Sequence, residues 1–102
     1  MFYKIHSIQQ QKVLAVCDKE LSGKILDEEI GFKVKPEFYG TELISEEELK
    51  KKIKEVNSAN FVGKKCVKIA LNKKIVLKEN IIKIKDVPHI QIYFIEVLEE
   101  NK

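Results

Sequence analysis

One short stretch, SANFVGKKCVKIA at 58–70, gathers Ser58, Asn60, Gly63, Lys64 and Lys65. A hydroxyl, an amide, a glycine and two ammonium groups this close together suit an anion. Glycine lets a phosphate approach the backbone, unpaired N–H groups at a helix start donate to it, and lysines add charge. Ser58 reads as the N-cap of a helix over 58–70, with Ala59, Val62, Cys66, Ile69 and Ala70 recurring at helical spacing as its buried face. The stretch lacks the G-x-x-x-x-G-K-[ST] pattern of a P-loop. A second reading stands beside the first: Gly63 lets a neighbouring helix come close, and Asn60 bonds a nearby loop.

Two other groups of residues have chemical potential. Cys17 as thiolate, His89 as base and Asp18 or Asn60 to orient the imidazole would form a nucleophilic site. No spacing joins them, and Cys17 closes the apolar run Leu14-Ala-Val, where cysteine behaves as a small buried hydrophobe. No catalytic residue is therefore assigned, and Cys17, His89 and Asp18 stand as the alternative. Phe38 and Tyr39, with His89, Gln91 and Tyr93 on one strand face, could offer stacking surfaces and amides to unstacked RNA bases, with Lys83 and Lys85 in support. The RNA-recognition signature itself is absent. His6, Cys17, Cys66 and His89 are scattered without a CxxC or HxxxH element, so neither a metal nor a cofactor is expected.

Charge narrows the partners. All 19 basic residues are lysine, against 16 acidic ones, for a net charge of +3. Without guanidinium forks, nucleic-acid contact would run from lysine to phosphate and be salt-dependent and poor in sequence information. The two distant cysteines read as reduced thiols, no apolar run approaches the roughly 20 residues of a membrane span, and MFYKIHSI lacks the features of a secretory signal. A cytoplasmic location follows as the expectation.

The elements that must carry these residues alternate in type. Phe2 to Ile8 and Val13 to Cys17 read as strands around a four-residue loop, Gln9 to Lys12. Pairing Ile8 with Val13 puts Tyr3, Ile5, Leu14 and Val16 on one face and makes His6 and Cys17 diagonal neighbours on the other. Asp18 to Ile30 is a polar connection turning at Gly23, and Phe32 to Lys35 is a strand stopped by Pro36. Ser45 opens a helix with Glu48 completing a capping box, Ile44 stapling onto Leu49, and Leu49, Ile53 and Val56 as its buried stripe. Glu46, Glu47 and Glu48 precede Lys50, Lys51 and Lys52 at pairing distance, which makes this a solvated face. The Ser58 helix follows so closely that an αα corner is implied, and it ends near Asn72. Ile81 to Lys85 and Ile90 to Val97 read as strands joined across Asp86 to His89, with Ile90, Ile92 and Phe94 facing opposite to His89, Gln91 and Tyr93. An acidic tail from about Glu99 is expected to fray. The whole predicts an α+β single domain over 1–102: a two-layer sandwich, its small, mostly antiparallel sheet packed by a pair of helices.

Taken together and in order, AVCDKELSGK at 15–24, FYG at 38–40, SANFVGKKCVKIA at 58–70 and VPHIQIY at 87–93 resemble the small archaeal proteins grouped as domain of unknown function family 424. The resemblance implies a soluble single-domain archaeal protein with no activity established for the family and no residue role to carry over. It points to the Cys17-Asp18 corner, Phe38-Tyr39-Gly40, Asn60 with Gly63, and Pro88-His89. The functional expectation is a non-catalytic binding module, associated with RNA or the ribosome through lysine-to-phosphate contacts. The alternative is a small Cys/His hydrolase or transferase, and the third reading is a homodimeric interaction protein.

Overall fold

The computed structural model describes residues 1–94. The chain begins with β1 (Phe2–Ile8) and β2 (Gln11–Cys17), an antiparallel hairpin. Gln9 and Gln10 turn between them with φ of 49° and 67°. Two left-handed residues in succession give the turn whose twist matches paired strands, so the loop holds two residues and not the expected four. Ile8 consequently pairs with Gln11, and Cys17 pairs with Phe2, which moves His6 and Cys17 too far apart to be diagonal neighbours. Tyr3, Ile5, Leu14 and Val16 still share a face, because a two-residue shift preserves parity.

A 3-10 turn at Lys19–Leu21 leads into β3 (Ile25–Asp27) and β4 (Phe32–Lys33), a small separate antiparallel pair. Pro36 then starts α1 (Pro36–Tyr39), which Gly40 closes at φ 81°. A side chain at Gly40 would collide with the Tyr3 carbonyl, so glycine lets this corner seat against β1. After β5 (Glu42–Leu43) comes α2 (Glu46–Ile53), with both halves of the Ser45–Glu48 capping box formed. Ile44, Leu49, Ile53 and Val56 are buried, although the helix ends before Val56.

The largest departure from expectation is at 58–70. Ser58 caps no helix: β6 (Ser58–Val62) is a strand, and α3 (Lys64–Asn72) begins only after Gly63. The αα corner is therefore a helix-to-strand connection. The residues show why. Ser58 and Asn60 alternate with the buried Ala59 and Phe61, a period of two, and the helical period starts at Cys66. The chain then passes a 3-10 turn at Lys78–Asn80 into β7 (Ile82–Ile84) and β8 (Val87–Tyr93). Their turn is Lys85-Asp86, again with two positive φ values, 48° and 70°, so β8 starts earlier than expected and includes Pro88 and His89. The expected end of this strand at Val97 and the tail from Glu99 lie outside the described residues.

Six strands form one sheet in the order β5-β1-β2-β6-β8-β7, antiparallel throughout except for the central β2–β6 pair. The fold is α+β. On the first face α2 and α3 pack over Leu14, Val16, Ala59, Phe61, Ile90 and Ile92. On the second face α1 and the β3–β4 pair cover Ala15, Cys17 and Val62 through Val34, Tyr39 and Phe32, a partial third layer absent from the sequence reading. Burial on both faces explains the unbroken apolar run Val13 to Cys17: β2 is a central strand.

Candidate functional site

The turn from β6 into α3 is where the sequence placed an anion. Asp18, just beyond β2, lies beside it because β2 and β6 run parallel and end together, with the Asp18 N–H donating to the Val62 carbonyl at 3.1 Å. The Asp18 carboxylate accepts from the Lys65 N–H at 2.9 Å and from the Cys66 N–H at 3.1 Å. It is only 4% exposed. The first-turn amides a phosphate would use thus already hold a carboxylate from the chain itself, the charge that a helix start favours. Gly63, at φ 121°, makes room for it: an added Cβ would lie 2.6 Å from Asp18 Oδ2. Gly63 therefore serves neither helix approach nor ligand approach. Of the expected set, Ser58 and Asn60 point from β6 to the second face of the sheet, while Lys64 and Lys65 are exposed on α3.

The three residues of the nucleophilic alternative do not converge. Register places Cys17, Val62 and His89 in one row across β2, β6 and β8, so two strand spacings, about 9.6 Å, separate the cysteine and histidine backbones. Asp18 is committed to α3. Burial, reinforced by the Asp18 charge, pushes the Cys17 thiol up to about 11, and the same causes push Cys66 well above the ordinary thiol range. Both cysteines are free, fully buried and on opposite faces of the sheet. Burial lowers the His89 pKa, and its ring meets Phe32 edge-on at 5.4 Å. Among the described residues no group of three His, Cys, Asp or Glu side chains could hold a metal ion.

The aromatic platform is rearranged. Tyr39 is buried and burial pushes its hydroxyl up to about 12, so it offers no stacking surface. Phe38 stacks on His6 with ring centroids 4.9 Å apart, and His6 Nε2 donates to the Phe38 carbonyl at 2.7 Å, which pins α1 to β1. His89, Gln91 and Tyr93 do share a face of β8, and Tyr93 is 73% exposed. Lys83 pairs with Pro88 and so belongs to the opposite face.

What the sequence reading missed is the lateral order. Lys4, Ala15, Asn60 and Gln91 form one row on the second face, and His6, Val13, Ser58 and Tyr93 form the next. β3, β4 and α1 cover the row through Cys17 and Val62 and reach Ala15 and His6 at the β1–β2 end of the next two rows. Those two rows leave Asn60 and Ser58 half-buried, and Gln91 and Tyr93 exposed. Serine and asparagine are poor strand residues in the middle of a sheet unless one face stays wet. The alternation in SANFV was the signal that could have found this surface.

The description "Protein of unknown function (DUF424)" matches residues 6–95. The chain belongs to the DUF424 family. A crystal structure of an uncharacterized conserved protein from Methanopyrus kandleri is similar to this DUF424 chain at 22% identity, with a TM-score of 0.77 and 96% of each chain covered. That likeness establishes a shared fold. No curated protein matches the chain. Among the described residues no helix is long and apolar enough to cross a membrane.

Proposed function

We propose that this chain is a cytoplasmic, non-catalytic binding module that takes single-stranded RNA, free or in the ribosome, on the open rows of its second sheet face. The observation that carries the reading is Tyr93, 73% exposed beside Gln91 and paired in register with Ser58 on a central strand. An aromatic ring on a sheet surface stacks on any base, and the neighbouring Asn60 and Gln91 amides offer both donors and acceptors to base edges. The open part of these rows, Ser58 and Asn60 on β6 beside Gln91 and Tyr93 on β8, spans one strand spacing of about 4.8 Å and two residue steps along each strand, room for about one stacked base with its neighbour's backbone. Lys4 at the far end of the Asn60 row supplies a cation for phosphate. Burial of both thiols, which raises their pKa values, weighs against cysteine as a nucleophile and supports the non-catalytic reading over the Cys/His alternative.

Filter binding of single-stranded RNA at low and high salt tests the reading. Retention at low salt that falls by at least about tenfold in Tyr93→Ala supports it, since one stacked base is worth roughly 1–3 kcal/mol. Absence of retention at low salt, or equal retention by Tyr93→Ala, refutes it.

A further inference from the structure

The edge of β8 carries a second opportunity, distinct from its face. The Gly63 N–H donates to the Pro88 carbonyl at 2.9 Å, and the Phe94 N–H donates to the Asn57 carbonyl at 2.9 Å. These two bonds bracket the β6–β8 ladder and fix its phase. Backbone groups alternate in direction along an antiparallel strand. Pro88, Ile90, Ile92 and Phe94 therefore turn theirs to β6, while His89, Gln91 and Tyr93 turn theirs the other way. His89 meets Ile82 of β7, but β7 reaches no further. Among the described residues no strand pairs with the outward N–H and C=O groups of Gln91 and Tyr93.

Lysines flank this edge and the segment before β7 walls it, yet among the described residues neither bonds its outward backbone groups. A surface groove of about 350 Å³ runs along Gln91, Ile92 and Tyr93, walled on its far side by Lys74, Leu77 and Asn80. Leu77 is 63% exposed and Tyr93 73%, so the groove has apolar surface at both sides. The segment that forms its far wall and the adjoining β7 hairpin, residues 73–85, carries Lys73, Lys74, Lys78, Lys83 and Lys85 against Glu79 alone, a local excess of four positive charges in a chain whose net charge is +3.

We propose that the β8 edge at Gln91 and Tyr93 is a docking site for an extended acidic peptide of a partner protein, which adds as a strand in line with β7. Four outward backbone groups match the alternating N–H and C=O of a strand, which a nucleic acid does not present. The lysine-rich wall selects acidic side chains. The same charge disfavours a second copy of this chain, because two-fold pairing of β8 with itself would bring two such basic segments together. Occupation of this edge leaves the Tyr93 ring on the sheet face, so peptide and RNA use different parts of one strand.

The test is a titration of the ¹⁵N-labelled full chain with a short synthetic peptide of alternating valine and glutamate, read by amide hydrogen exchange and compared with the valine–lysine counterpart. Exchange at the Gln91 and Tyr93 amides should slow by about tenfold or more near saturation with the acidic peptide only, while Ile90 and Ile92, already bonded to β6, stay unchanged. Gln91→Pro removes one outward N–H without touching the ladder to β6 and should abolish the effect. Lys74→Glu with Lys78→Glu, which leaves every backbone group in place but brings the segment to zero net charge, should erase the preference for the acidic peptide. An equal response of the unaltered chain to both peptides overturns the proposal. So does protection that rises with protein concentration alone, which would assign the edge to a second copy, or protection of the same amides by an RNA oligonucleotide.

Discussion

The chain starts its two longer helices in opposite ways. At α2 everything is local: Glu48 N–H donates to Ser45 Oγ at 3.2 Å, and Ser45 N–H donates back to Glu48 Oε1 at 3.2 Å. At α3 the N-cap is Gly63, which has no side chain, and the carboxylate that serves the first turn comes from Asp18, 47 positions before Lys65. The first arrangement can form in an isolated segment. The second exists only once β2 and β6 are side by side. In α3, then, helix initiation is a consequence of sheet pairing, and the Asp18–Gly63 contact ties the centre of the sheet to the layer above it.

The sharpest way to break that difference is Gly63→Ala. A methyl group there meets the Asp18 carboxylate and also forces alanine into a φ of 121°. Backbone strain and overpacking, each about 1–3 kcal/mol, act together, so urea denaturation should show a loss of about 3 kcal/mol or no folded protein at all. Asp18→Ala comes next. It leaves the Lys65 and Cys66 amides without their acceptor at a largely buried position, and about 2 kcal/mol should be lost in the same assay.

The Asp18 charge also reaches the thiols. The Cys17 pKa in the folded chain, about 11, lies above its ordinary 9.0, so the folded state holds the proton longer than the unfolded one. That contribution is fully present below pH 9.0 and is lost as pH rises through about 11, so stability should decline over that alkaline window. Asp18→Asn removes one cause of the elevation, and the window should narrow toward 9.0 when thiol titration is followed by absorbance near 240 nm.

Ser45→Ala is the local counterpart. It removes one reciprocal pair in an exposed first turn, and about 1 kcal/mol should be lost. If Ser45→Ala cost as much as Asp18→Ala, the contrast between local and tertiary helix starts would collapse.

The same contrast explains what could be read in advance. The Ser45 capping box, the inward face of Tyr3, Ile5, Leu14 and Val16, and the alternation of Ile90 and Ile92 with Gln91 and Tyr93 all depend on residues near one another in the chain, and each is legible. Residues 58–70 defeat such reading because a five-residue strand and a nine-residue helix are fused at one glycine. Ala59, Val62 and Cys66 fall at helical spacing across that junction by accident. The demand for negative charge at the helix start was legible, yet its source was not, since nothing local connects Asp18 with Gly63. The open face was half legible: Gln91 and Tyr93 were placed together, while their rows with Asn60 and Ser58 needed the β6–β8 register. The cover over Cys17 was invisible, because it depends on α1 and the β3–β4 pair folding back across the sheet.

The smallest test belongs to the exposed side of α2. Of the three glutamate-to-lysine pairs available there, one closes among the described residues, Lys50 Nζ to Glu46 at 3.1 Å, with the two side chains 42% and 57% exposed. Water and salt screen such a pair, and each long side chain loses freedom in making it, so Lys50→Ala should shift stability by only a few tenths of a kcal/mol. Half a molar salt should erase even that difference, while leaving the Asp18→Ala loss nearly intact, because the Asp18 carboxylate is buried against amides rather than facing solvent. A salt-dependent Asp18 effect would mean that its carboxylate is solvated in solution, and α3 would then start as α2 does, by its own local means.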